Sequence, residues 1–131
     1  MTAGKEHFLK RIAAAGAIAL MVSLTWFNSQ PEAAGLIPAP WDKLAHGGIF
    51  GALSAALAAA CWPRLWPVAA VVVPFAAFDE LRQLHLPGRS ADWGDFLTDL
   101  AAMAVVLSCS VLLRIRRSVK PVAGGRRGRR L

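Results

Sequence analysis

Four long apolar runs, 12–27, 44–62, 65–78 and 96–113, alternate with short polar blocks along the chain. The charges sit between the runs rather than alternating with apolar residues, which is the layout of membrane spans and their loops. A straight span needs roughly 20 residues, with about 17 to 25 tolerated. The first, second and fourth runs reach that length with their flanks. The third, with Pro67 near its start and Pro74 inside it, reaches it only if the helix continues through Asp79, Glu80, Arg82 and Gln83. The pattern therefore predicts an all-α, four-helix transmembrane bundle, with helices over about 12–29, 43–62, 65–84 and 95–113. Residues 1–11 form a cytoplasmic N-terminus, 12–113 the transmembrane domain, and 114–131 a basic, disordered cytoplasmic tail.

The first run also fits a cleaved signal peptide, with a basic start and a small-residue stretch Glu32-Ala33-Ala34-Gly35. Its apolar middle is at the long end for that role, and three further spans follow, so a retained first helix is the simpler expectation.

Charge sets the orientation. Of the 15 Lys and Arg, twelve fall on one side of the four-span arrangement and three (Lys43, Arg82, Arg89) on the other, 12 + 3 = 15. Basic loops stay in the cytoplasm, so both termini are expected there, in a multi-pass protein of a bacterial inner or plasma membrane. The net charge of +7 does not point to nucleic acid. Much of the excess lies directly after the fourth run, where it reads as an anchor to anionic lipid headgroups. Trp26, Trp41, Trp62, Trp66 and Trp93 fall near run ends, the positions favoured at a lipid–water boundary. Cys61 and Cys109 lie inside apolar runs without metal-ligand spacing and read as small buried hydrophobes.

The second run is lined by small residues. Gly47 and Gly51 form a GxxxG, and Gly48 and Ala52 repeat the spacing. Close helix approach is the usual reason, within the chain or against a second copy.

Three polar groups gather at the outer face. The first is Asp42-Lys43-Leu44-Ala45-His46. Asp42 suits a helix N-terminus; it shares a face with His46 four residues on and would orient it. The second is Asp79-Glu80-Leu81-Arg82-Gln83. Its paired acids oppose the dipole at a helix C-terminus, so other groups must hold them. The third is Pro87-Gly88-Arg89-Ser90-Ala91-Asp92-Trp93-Gly94-Asp95, with Asp99 one turn beyond. An ionisable group inside a span is a functional candidate by default, and this describes His46 and Asp99. His46, Asp42 and Glu80 are the candidate catalytic groups. Lys43, Gln83, Arg89, Asp92 and Asp95 are the candidate substrate ligands. Asp79, Glu80, Asp92, Asp95 and Asp99 offer oxygen ligands suited to a hard divalent cation, although no motif requires a cofactor.

At these three groups the sequence resembles the VanZ-like family of small bacterial membrane proteins. The match runs over roughly 41–107: an Asp-Lys-x-x-His opening one helix (Asp42, Lys43, His46), an acidic pair with Gln three further on (Asp79, Glu80, Gln83), then a Gly-Arg with spaced acids (Gly88, Arg89, Asp92, Asp95). Gly47 stands where the family often has an aromatic after its His. Ala102 stands where a Gly tends to follow the last acids. The resemblance implies a cell-envelope setting and a link to low-level resistance to the glycopeptide antibiotic teicoplanin. Two function classes follow. One is a non-enzymatic envelope protein, alone or as a partner in a larger assembly. The other is a membrane-embedded enzyme acting on a lipid-linked or phosphate-bearing substrate, with His46 as general acid or base and a metal as helper.

Overall fold

A computed structural model describes residues 2–33, 35–88 and 91–118. Four helices make up the fold: α1 (Ala3–Asn28), α2 (Trp41–Cys61), α3 (Trp66–Gln83) and α4 (Trp93–Ser118). A 3-10 turn, Pro31–Ala33, follows α1. Among the described residues there is no strand, in agreement with the all-α expectation. Short connections make successive helices antiparallel, so α2 and α4 run the same way. The C-termini of α1 and α3 and the N-termini of α2 and α4 share one end.

Helices α1, α2 and α4 are long and apolar enough to cross a membrane. At about 1.5 Å per residue each matches or exceeds a hydrocarbon core of about 30 Å. α3 continues through Asp79, Glu80, Arg82 and Gln83, as its length required, and those polar residues keep it from being equally apolar. Three of the four, Asp79, Glu80 and Gln83, are buried. The outer surface is the apolar one: Ile18, Val22, Val105, Leu112 and Leu113 are all exposed. That inversion of the usual inside-out order suits lipid as the solvent.

Two helices are longer than their apolar runs. α1 begins at Ala3 instead of near residue 12, and Glu6 and Lys10 pair across one turn at 2.7 Å, which supports its polar start. α4 continues to Ser118, past the apolar run's end at Leu113. Nothing at the chemistry of 114–118 stops a helix, since Arg is a good helix former and favoured near a C-terminus. The rest of the expected tail, 119–131, lies outside the described residues.

The core forms where the four helices meet: Ala17 and Leu24 of α1, Phe50 and Leu53 of α2, Val68, Val72, Phe75 and Ala76 of α3. α2 is central and touches all three others. Its Gly47 and Gly51 face α4, where an added Cβ would meet Thr98 Cγ2 at 3.4 Å and Ala102 Cβ at 4.0 Å. The GxxxG therefore serves packing within the chain. Gly48 has open space around it. Cys61 is half-buried, and Cys109 is exposed on α4. The expectation that both cysteines are buried fails for Cys109, because that face of α4 has no helix packed on it.

Candidate functional site

All the described polar candidates lie at the end where α2 and α4 begin. The local reasons are ordinary ones. Asp92 sits just before α4, and its Oδ1 accepts the Gly94 N–H at 2.7 Å, the usual cap of a helix start. Asp42 turns its Oδ1 to the backbone N–H of Lys43 at 2.8 Å. Parallel packing of α2 on α4 then brings their first turns side by side.

Lys43 reaches across this seam. Its Nζ lies 2.8 Å from Asp92 Oδ2 and 2.8 Å from Asp95 Oδ1. Two carboxylates thus occupy an ammonium that the sequence offered as a substrate ligand. The Lys43 ammonium, and after it the Gly94 N–H, hold the Asp92 carboxyl below the usual carboxylate range. Gly94 leaves room for this bridge: an added Cβ would lie 2.8 Å from Lys43 Nζ. Because that atom is the end of a flexible chain, Gly94→Ala should displace the lysine rather than unfold the helix. Two terms should nearly cancel. Exposed ion pairs contribute little to stability, and alanine is a better helix former than glycine. We expect little change in stability and faster modification of Lys43 by an amine reagent, read by mass spectrometry. Unchanged Lys43 reactivity would count against the bridge.

One turn deeper, His46 Nδ1 lies 3.3 Å from Asp99 Oδ1 and 3.4 Å from Oδ2. Nε2 is 4.0 Å from Asp95 Oδ2. The orienting carboxylate expected at Asp42 is therefore supplied by Asp99. A carboxylate four residues back on α2 shares the histidine's face, but that of Asp42 is committed to the start of its own helix. Asp99 is fully buried and projects from α4 toward the ring. Below, the imidazole stacks on Phe50, with centroids 6.2 Å apart and planes 5° from parallel. Phe50 in turn packs on Phe75 at 5.8 Å, so the ring is seated on the core.

Asp79 and Glu80, adjacent on α3, point to different neighbours because successive helical residues diverge by roughly 100°. Asp79 is fully buried. It accepts from Arg82 Nη2 at 2.8 Å, Asn28 Nδ2 at 3.0 Å and Gln83 Nε2 at 3.4 Å. It belongs to a brace between α1 and α3, completed by Arg82 Nη1 donating to Ser29 Oγ at 2.6 Å. Glu80 turns toward α4 and accepts the Asp92 backbone N–H at 2.9 Å, and it shares Gln83 Nε2 with Asp79, at 3.4 Å. His46, Glu80 and Asp99 each present a ligand atom within 4.8 Å of the other two. Of the expected metal ligands, Glu80 and Asp99 are thus brought together with a histidine. Asp79, Asp92 and Asp95 instead pair with Arg82 or Lys43. Arg89, with Ser90, lies outside the described residues.

Sequence reasoning missed Asn28. An amide directly after an apolar run was its signal, since a polar side chain at membrane depth is expected to face protein. It also missed the apolar part of the site's lining. A cavity of about 270 Å³ opens beside His46. Its lining is mixed, with Asn28, Asp42, Gln83 and Asp95 as polar members and Phe27, Leu36, Ile37 and Ile49 as apolar ones.

A family model described as VanZ/LLP1 matches residues 5–114, from the first turn of α1 to the last turns of α4. No curated protein and no solved structure matches the chain.

Proposed function

The chain belongs to the VanZ/LLP1 family, and from that premise we propose that it binds the polar head of an envelope amphiphile at the outer face of a bacterial membrane. Lys and Arg distribution supports a multi-pass arrangement with both termini in the cytoplasm and the polar end outside. The observation that carries the reading is the cavity beside His46. Its lining mixes polar side chains, among them His46 with Asp99 behind it, with apolar ones. A lining of both kinds suits a molecule with a charged head and a hydrocarbon part. The teicoplanin link implied by the family resemblance fits this reading, because such a protein alters what reaches the outer leaflet.

The test is teicoplanin susceptibility of cells carrying the intact chain, the His46→Ala variant or neither. Membrane levels of both proteins are matched by immunoblot. We expect the intact chain to raise the inhibitory concentration several-fold and His46→Ala to abolish the rise. Equal protection by the variant would remove His46 from the function.

A second reading, a metal-assisted enzyme on a lipid-linked phosphate, is favoured by the grouping of His46, Glu80 and Asp99. Six carboxylates (Asp42, Asp79, Glu80, Asp92, Asp95, Asp99) stand at this end of α2, α3 and α4 against two permanent cations, Lys43 and Arg82, among the described residues. A divalent cation would offset that excess, and a mixed imidazole and carboxylate set suits Mn²⁺ or Zn²⁺. Phosphate release from a lipid phosphate by purified protein with Mn²⁺, suppressed by chelator and by Glu80→Gln, is the expected sign of this activity. No release under any metal would leave binding alone.

A further inference from the structure

The opposite end of the bundle carries a second cavity, larger and of different chemistry. It is a cleft of about 570 Å³ between α1, α2 and α4, within the range of about 300–1,000 Å³ usual for ligand pockets. Its walls are Leu9, Ala55, Ala58, Ala59, Val106 and Leu113. The three alanines of α2 are the reason it exists, because they leave a channel where larger side chains would close the α1–α2–α4 seam. From Arg117 at the mouth to Val106 inside, the cleft follows α4 for about 16 Å, at about 1.5 Å per residue.

The mouth is basic. Lys10 and Arg117 line it, two cations beside the one acid Glu6. Arg114 approaches from α4, with its Nη1 3.5 Å from the Pro63 carbonyl. Lys5, Arg11, Arg64 and Arg116 lie at the same end, against the single acid Glu6. Arg117 makes no ion pair among the described residues. Lys10 is held by Glu6 at 2.7 Å, but an ammonium has three donors, and an exposed pair one helical turn apart is a weak competitor. Trp62 completes the rim, at the depth where indoles favour the boundary.

From this we infer that the cleft is a site for an anionic glycerophospholipid. One acyl chain lies along Ala55, Ala59 and Val106, and the phosphate sits between Lys10 and Arg117. The occupant is a lipid rather than a protein helix because charge is confined to the mouth and the walls are apolar but for Ser110, whose hydroxyl donates to the Val106 carbonyl at 2.8 Å. The charge is positive, which selects anionic over zwitterionic headgroups. This site does not depend on the His46 cavity, which lies at the other end of the helices.

Native mass spectrometry of the full chain, released from mild detergent with equal phosphatidylglycerol and phosphatidylcholine, tests it. We expect phosphatidylglycerol to be retained preferentially. Lys10→Gln and Arg117→Gln should each reduce that preference about fivefold, the effect of one basic residue near an anionic surface. Ala59→Leu, which fills the cleft without changing charge, should reduce retention of both lipids. Circular dichroism and gel filtration confirm that each variant is folded. His46→Ala should bind lipid as the parent does, whatever its effect on teicoplanin susceptibility. Equal retention of the two lipids by the parent protein would overturn the inference. So would undiminished preference in both charge variants, or a lipid-free dimer as the species that excludes phosphatidylglycerol.

Discussion

Asp79→Ala is expected to be the most destabilising single change at the polar end, by about 3–5 kcal/mol, the cost of breaking a buried ion pair from one side. The residue is fully buried and takes three side-chain donors, from Arg82, Asn28 and Gln83. Alanine would strand Arg82 Nη2 and Asn28 Nδ2, while Gln83 Nε2 keeps Glu80 Oε1 at 3.4 Å. Arg82 is the costly one, because its Nε is already buried without a partner and its Nη2 would lose the carboxylate. The competing estimate is far smaller. A neutral hydrogen bond between membrane helices averages about 0.6 kcal/mol, since the unfolded chain in lipid also finds partners. A measured loss near that lower figure would mean that the brace acts as hydrogen bonds only and that the charge on Arg82 escapes to water. Unfolding by SDS titration in mixed micelles separates the two outcomes. Arg82→Met with Asp79→Leu should restore much of the loss, because replacing both members of a buried pair by apolar groups is often neutral.

Phe50→Ala should lower stability by about 2–3 kcal/mol, the cavity share of the roughly 3–5 kcal/mol seen for such truncations in water-soluble cores. The transfer share is discounted because lipid is as apolar as the protein interior. Phe50 is fully buried and touches both Phe75 and the His46 ring. The truncation therefore also unseats the imidazole. We expect the His46-dependent teicoplanin effect to be lost in Phe50→Ala even where the protein still reaches the membrane, whereas Phe50→Leu keeps most of the packing and most of the effect. The same SDS titration measures the first expectation. Full protection by Phe50→Ala at normal membrane level would show that the stack does not position the histidine.

The four helices were legible from the runs because lipid leaves the backbone no other choice. With no water to satisfy N–H and C=O groups, an apolar segment long enough to span must close its hydrogen bonds within itself. Short connections then force alternation, so the polar blocks before α2, after α3 and before α4 had to gather at one end. His46, Glu80, Asp95 and Asp99 were on the page for that reason. Pattern also required α3 to run through its own charged residues, since it was otherwise too short.

The pairings within that end depended on how far each helix is turned about its axis, and no local pattern specifies that angle. It is set by which side chains interdigitate. Gly47 and Gly51 let α2 approach α4 at Thr98 and Ala102, and that contact rotates His46 onto Asp99 rather than leaving it with Asp42. The same seam hands Lys43 to Asp92 and Asp95. Helix α1 offered no candidate group in sequence, yet its last residue, Asn28, reaches Asp79 because the C-termini of α1 and α3 lie at a common depth. Sequence by itself determined the helices, their order and the end at which charge collects, because these follow from solvent and chain connectivity. Tertiary structure alone decided which acid holds the histidine, which cations are already spent and where the two cavities lie, because those depend on packing between faces.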